Sequence, residues 1–286
     1  MNFLKQMPSI HIHPVLYAFI AISFVTGTFL ELFIIFFLVL FHELGHFTAA
    51  SMFKWRIRNI VLWVFGGVVD TEEHGNKSIK EEAIVTLAGP FQHLIIFFLC
   101  LFLELFQFIP ASILELVLYY NTMLLFFNLI PVWPLDGGKL LLLITSAFLP
   151  YKKSYHFTIL FSMITIVSVV LIQLLFFPFT LSSFLIWIFL FMENRTDWKQ
   201  RFYVFMRFLL RRYEGDSAIK KVVPVTVASE STFMDVFSKF RREKKHPVYI
   251  IYPNNERISI DENDCLRSYF YDKSYHHTVG ETFQYK

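Results

Sequence analysis

Three intervals of this chain contain no lysine or arginine: between Lys5 and Lys54, between Lys80 and Lys139, and between Lys153 and Arg195. Each is dominated by Leu, Ile, Val and Phe. Each is long enough for two crossings of a bilayer at about 20 residues per helix. The intervals therefore predict six spans, near 14–30, 32–53, 84–106, 112–131, 156–177 and 180–193. The last is short and extends toward the segment that follows. Composition agrees: 55% of the 286 residues are hydrophobic and only 17% are charged, against about 25% in soluble domains. That excludes a disordered chain and an ordinary soluble enzyme. A net charge of +3 is too small to argue for direct nucleic-acid binding. The two cysteines, Cys100 and Cys265, lie in different kinds of segment, so no disulfide framework is expected.

The hairpin tips inside the intervals carry no basic residue: Gly27-Thr28, Gln107 to Pro110, and Pro178. The other loops and the tail hold all of them. By the positive-inside rule both termini and the basic loops are expected in the cytoplasm. The first apolar stretch lacks a small-residue cleavage site and runs into a second one, so a cleaved signal peptide is not expected.

Residues 195–216 form a linker whose first part, Arg195 to Tyr213, mixes Arg and Lys with Phe202, Tyr203, Phe205 and Leu209. It reads as an amphipathic helix at the membrane surface or as a packed connector. Residues 217–286 change character. A strand is expected at Val222 to Val227, a helix at Ser231 to Phe240, strands at Val248 to Tyr252 and Arg257 to Ile260, and a helix at Asp261 to Phe270. This β-α-β-β-α order resembles a single CBS domain. The resemblance implies pairing into a homo-oligomer and a site for ATP or another adenine nucleotide. The alternative is a small α+β module for partner contact alone. The expected architecture is a six-helix membrane domain over 1–194, the linker, and a small cytoplasmic α+β domain.

The chemistry falls inside the second span, at His42-Glu43-Leu44-Gly45-His46. Residues four apart share a helix face, so both imidazoles can bind one metal, with Glu43 beside them to take a proton from water. An ionisable residue at membrane depth is a functional hypothesis by default. His46 precedes Lys54 by eight residues, about 12 Å of helix, so the motif is buried from the cytoplasmic side. A catalytic zinc needs a third protein ligand. The best candidate is Asp136, after the fourth span, in Pro134-Leu135-Asp136-Gly137-Gly138. Alone, Asp136 reads as a turn residue at a membrane surface.

Together the two motifs resemble the site-2 protease family of intramembrane zinc metalloproteases, over roughly residues 10–150. Ile10 to Pro14, Phe65-Gly66-Gly67, Glu72 to Asn76 and Ala88 to His93 add to the likeness, and the C-terminal domain narrows it to a sporulation subgroup. The resemblance implies Zn2+ held by His42, His46 and Asp136, with Glu43 as general base. It implies support from Asn128, Pro134, Gly66 and Gly67. Asn128 reads equally as a helix-end residue, and Gly66-Gly67 equally as a plain turn or as an edge that binds extended substrate. The implied substrate is the membrane-tethered pro-form of a late mother-cell sigma factor. The implied partners are the bilayer and inhibitory membrane proteins of the sporulating cell, and the implied place is the membrane around the forespore. His11, His13, His74 and His93 are expected in packing or surface roles, with His93 and Gln92 also able to support a ligand from behind. A competing reading is a polytopic metal or anion transporter with a regulatory CBS module. It has no use for Glu43 between the two histidines, and no repeated halves are visible. A catalytically inactive scaffold is disfavoured by the intact motif.

Overall fold

The computed structural model describes residues 9–12, 14–63, 66–71, 75, 77–178, 180–215 and 218–284. The chain forms two compact units, one from residues 1–74 and 81–140, the other from 75–80 and 141–286.

The first unit starts with β1 (Ser9–Ile12), α1 (Pro14–Thr26) and α2 (Phe29–Met52). Gly27, at φ +75°, makes the reversal between the two helices. Then come β2 (Ile57–Trp63), β3 (Gly66–Thr71), α3 (Ile79–Leu105), α4 (Ala111–Leu129) and the start of α5 (Asp136–Phe148). β2 is the centre of a three-stranded sheet, parallel to β1 and antiparallel to β3. The helices are packed through narrow stripes. On α2 the buried residues run Ile34, Leu38, His42, Glu43, Gly45, His46, Ala49 and Ala50. On α3 they run Glu82, Val85, Thr86, Gly89, Pro90, His93, Ile96 and Cys100. Spacings of three and four put each set on one helix face. Ile34, Leu38, Ile96, Cys100 and Leu114 make one apolar cluster, and Ala49, Ala50, Trp55 and Val85 a second. The opposite faces are covered with exposed aromatics such as Phe37, Phe91, Phe98, Phe102 and Phe126. A surface of that kind belongs in hydrocarbon, not in water.

Among the described residues, four helices are long and apolar enough to cross a membrane: α2, α3, α4 and α6 (Tyr151–Phe176). The expected first span is α1, whose 13 residues make about 20 Å of helix. The expected sixth span and the first part of the expected linker are one helix, α7 (Leu181–Tyr213). No Gly or Pro interrupts that segment, so nothing ends the helix. Glu193, Arg195 and Asp197 follow its apolar first turns.

The second unit joins α6 and α7 to a small α/β module. The module contains β4 (Lys221–Val222), β5 (Val225–Ala228), α8 (Phe233–Phe237), β6 (Lys244–Lys245), β7 (Val248–Ile251), β8 (Arg257–Ile260), α9 (Glu262–Phe270) and α10 (Val279–Phe283). The strand order is β5-β7-β8, with β5 parallel and β8 antiparallel to β7, while β4 pairs with β6. The expected β-α-β-β-α succession is present, but the expected strand Val222 to Val227 divides at Val223-Pro224 into β4 and β5, the expected helix Ser231 to Phe240 shortens to α8, and β6 and α10 are added. Thr232 with Asp235 and Thr278 with Glu281 form capping boxes that start α8 and α10. Phe205, Phe208 and Leu209 of α7 share one core with Val225, Val227, Phe233, Phe237, Val248, Ile250 and Leu266. Next to that core Arg212, almost wholly buried, forms an ion pair with the buried Glu262 and also donates to the carbonyls of Arg241 and Lys244. Glu262 accepts in turn from the His246 backbone N–H at 2.6 Å. Residues 75–80 fold with this unit: Arg242 donates to the Lys77 carbonyl at 2.9 Å and Ile79 N–H to Glu243 at 2.8 Å.

Candidate metal centre

His42, Glu43 and His46 lie in the buried stripe of α2, and Asp136 is the first residue of α5; all four are at most 6% exposed. His42 Nε2, His46 Nε2 and Asp136 Oδ2 form a triangle with all three sides 3.1 Å. Among the described residues these three side chains are the group able to hold a metal ion.

The protons on the two imidazoles can be assigned from their other partners. His46 Nδ1 lies 2.8 Å from the Val85 carbonyl. A carbonyl only accepts, so Nδ1 carries the proton, and in the neutral ring that a metal requires Nε2 is a bare lone pair. His42 is fixed through a longer path. Asn121 Nδ2 donates to the His93 carbonyl at 2.9 Å, which leaves its Oδ1 to face His93 Nδ1 at 2.8 Å. His93 therefore donates from Nδ1 and is bare at Nε2. That nitrogen lies 3.1 Å from His42 Nδ1, so His42 donates there and is bare at its own Nε2. Two nitrogen lone pairs and a carboxylate oxygen thus face one another with no proton between them.

Three such acceptors repel unless a cation lies among them. Their 3.1 Å spacing is close to the ~3.3 Å edge of a tetrahedron with metal–ligand bonds of about 2.0–2.1 Å. Two imidazoles and a carboxylate are also a donor set suited to catalytic zinc. The other carboxylate oxygen, Asp136 Oδ1, accepts from Lys139 Nζ at 3.1 Å, which turns Oδ2 toward the histidines. Glu43 is near enough to interact electrostatically with His46 and Lys139.

The backbone holds this arrangement closely. A Cβ on Gly89 would collide with the His46 ring and lie 2.7 Å from His42 Cε1. One on Gly45 would strike the Ala88 carbonyl, and one on Gly137 or Gly138 the 129–133 backbone. The glycines after Asp136 are therefore needed for close approach at the start of α5.

The other sequence-predicted residues are placed less tightly. Asn128 is half-buried in the last turn of α4, and Pro134 lies half-buried in the connection to α5. Gly66 and Gly67 begin β3, an edge strand, opposite Trp63 and Leu62. His11 is in β1 opposite Val61; His13 and His74 lie outside the described residues. His93 is brought onto His42. Asn121, which sequence reasoning passed over, stands behind it. A buried amide in the middle of an apolar span was the available signal.

Comparison with known proteins supplies independent findings. The model of peptidase family M50 matches residues 30–110 and 104–172. Stage IV sporulation protein FB of Bacillus subtilis is 38% identical over 281 residues, 98% of each chain. A zinc metalloprotease of Methanocaldococcus jannaschii is 38% identical over 130 residues, 43% of this chain and 37% of its own. A putative zinc metalloprotease of a Synechocystis strain is 35% identical over 106 residues, 36% of this chain and 28% of its own. Among solved structures, the site-2 protease from Methanocaldococcus jannaschii aligns with a TM-score of 0.53 and 27% identity, over 65% of this chain and 89% of that one.

Proposed function

This chain belongs to peptidase family M50 and is an integral-membrane zinc metalloprotease of the site-2 type; from that premise we propose that it cleaves a pro-protein in or beside a membrane-embedded segment. The observation that carries this reading is the set of three bare ligand atoms, each 3.1 Å from the other two, with Glu43 in the same buried stripe. Zinc held by His42, His46 and Asp136 would polarise the scissile carbonyl and lower the pKa of a water there. Glu43 takes the proton from the attacking water and returns it to the leaving amine. Lys139 keeps Asp136 ionised and oriented.

Extended substrate pairs with the edge strand β3 at Gly66-Gly67, where the absence of side chains lets a second backbone approach. Asn128 hydrogen-bonds the substrate or the tetrahedral intermediate, and Pro134 shapes the ligand loop. Six crossings place both termini and the α/β module in the cytoplasm, with α1 and the first turns of α7 as the two shorter ones. The module is CBS-like by its element order. It docks the soluble part of the substrate, pairs with a second copy and couples adenine-nucleotide state to cleavage.

Similarity to the Bacillus sporulation protein over nearly the whole chain supports a role in sporulation. The substrate is then the membrane-tethered pro-form of a late mother-cell sigma factor. The membrane is the one around the forespore, where inhibitory membrane proteins hold the enzyme in check. Co-expression with that pro-protein from the same source tests the reading. Cleavage by wild type and none by Glu43→Gln at equal expression is the expected result. Cleavage by both variants overturns the role of Glu43, and cleavage by neither overturns the substrate.

A further inference from the structure

His93 and Asn121 are not ligands of the triangle, yet both are buried, at 1% and 2% exposure. They are polar side chains on two different membrane helices, and their hydrogen bonds run in one direction toward the metal centre. We propose that Asn121 and His93 form a positioning relay that selects the tautomer of His42, and so sets the zinc affinity of the site.

The inference rests on the reading of the triangle as a zinc centre. Each link has one allowed polarity. Asn121 must turn its NH2 to the His93 carbonyl, because that oxygen cannot donate. Its Oδ1 must then accept from His93 Nδ1. His93 Nε2, left without a proton, accepts from His42 Nδ1. The result is a His42 whose Nε2 lone pair points at Asp136 and His46. In the other tautomer, Nε2–H would point into the site and could not bind a metal. The ordinary partner of a ligating histidine is a carboxylate, carbonyl or water, and its loss typically costs 10–100-fold in metal affinity. Here a neutral histidine does that work, held by an amide from a third helix. His93 sits one turn after Gly89, the residue whose missing side chain admits the His42 and His46 rings. One face of α3 therefore both makes room for the ligands and orients one of them. His46 needs no such relay, because the Val85 carbonyl fixes it directly.

The test uses full-length protein in detergent and measures zinc affinity by competition with a chromophoric chelator. His93→Leu and Asn121→Leu are expected to weaken zinc binding about 10–100-fold. His93→Gln, whose amide oxygen can take the place of Nε2, is expected to stay within a few-fold of wild type. Cleavage lost by His93→Leu at limiting zinc should return as zinc is raised, because Glu43 and the three ligands are intact. Equal affinity in wild type and both leucine variants overturns the relay. So does a Gln variant as weak as the Leu variant with unchanged helix content and elution volume, which would make packing the cause. Should His93→Leu fail to fold, the comparison of His93→Gln with Asn121→Leu decides. Wild type without zinc affinity is a different failure, that of the metal-centre reading itself. Glu43→Gln that binds zinc and does not cleave supports that reading whatever the relay does.

Discussion

Arg212 and Glu262 in the C-terminal unit, and His42, His46 and Asp136 in the helical unit, are all buried polar side chains. Their hydrogen bonding is completed in opposite ways. Around Arg212 all three guanidinium nitrogens meet acceptors: Glu262 and the carbonyls of Arg241 and Lys244. Glu262 also accepts from the backbone of His246. The cluster closes on itself and fastens the end of α7 to the module. In the helical unit the same care is taken only on the outer side. Val85 and His93 satisfy each Nδ1, and Lys139 satisfies one carboxylate oxygen, while the three remaining acceptors face each other. Burial alone does not separate a structural polar cluster from a chemical one. The direction of the last lone pairs does.

Substitutions separate the two clusters most clearly through activity. Glu43→Gln should lower the cleavage rate by about 10²–10⁴-fold and leave the unfolding midpoint where it was. Chelation should likewise stop cleavage and lower the midpoint of wild type, as removal of a native-state ligand must. The midpoint of Asp136→Asn should not respond to chelator. A chelator response in Asp136→Asn would remove that residue from the ligand set.

Arg212→Ala should act the other way round. Breaking one side of a buried ion pair costs about 3–5 kcal/mol, read as a lower denaturation midpoint, with zinc content per folded molecule unchanged. Replacing Arg212 and Glu262 together by Met should recover much of that loss. A single variant as stable as wild type would show that the pair does not fasten α7.

Gly89→Ala falls between the two. The added methyl group meets both imidazoles and should cost about 1–3 kcal/mol as overpacking. Unlike Arg212→Ala it should also deplete bound zinc, which metal analysis of the purified protein reads directly.

The smallest effect concerns acid stability. Burial holds the His246 pKa below the ordinary 6.5, and the positive charge of Arg212 adds to this against the pull of the Val223 carbonyl and Glu262. The neutral ring donates from Nδ1 to Val223 and accepts at Nε2 from Arg241 N–H. As pH falls below 6.5 the unfolded chain takes up a proton before the folded one does, so stability present above that value is lost progressively below it. His246→Gln should flatten the dependence of the unfolding midpoint on pH in that range. An unchanged slope would assign it to other groups.

Much of this was legible in the sequence, for identifiable reasons. The zinc motif is local, since helical spacing alone puts His42 and His46 together. Asp136 by itself reads as a turn residue; it stood out only because the His42–His46 pair needs a third ligand and the fourth span returns to the same side of the membrane. The order of elements after residue 217 followed from the change in residue pattern along that segment. The continuity of α7 was also readable, because no breaker stands between Leu181 and Tyr213. His93 could be suspected only weakly, and Asn121 only as a polar residue within an apolar span, because their roles depend on how α2, α3 and α4 are rotated against one another. No spacing within one helix contains that information. The Arg212–Glu262 pair spans 50 residues and depends on the docking of α7 on the module, which composition does not encode.

The segment 75–80 has a practical consequence for anyone exchanging parts between relatives. It interrupts the helical unit in sequence, between residues 1–74 and 81–140, yet folds with the C-terminal one, through Arg242 and Glu243. The chain visits that unit twice. A chimera joined once, near residue 195 or 217, would bring in a foreign tail and leave a native loop without its partners. A transplant that carries 75–80 along with the tail keeps both halves of the contact from one parent.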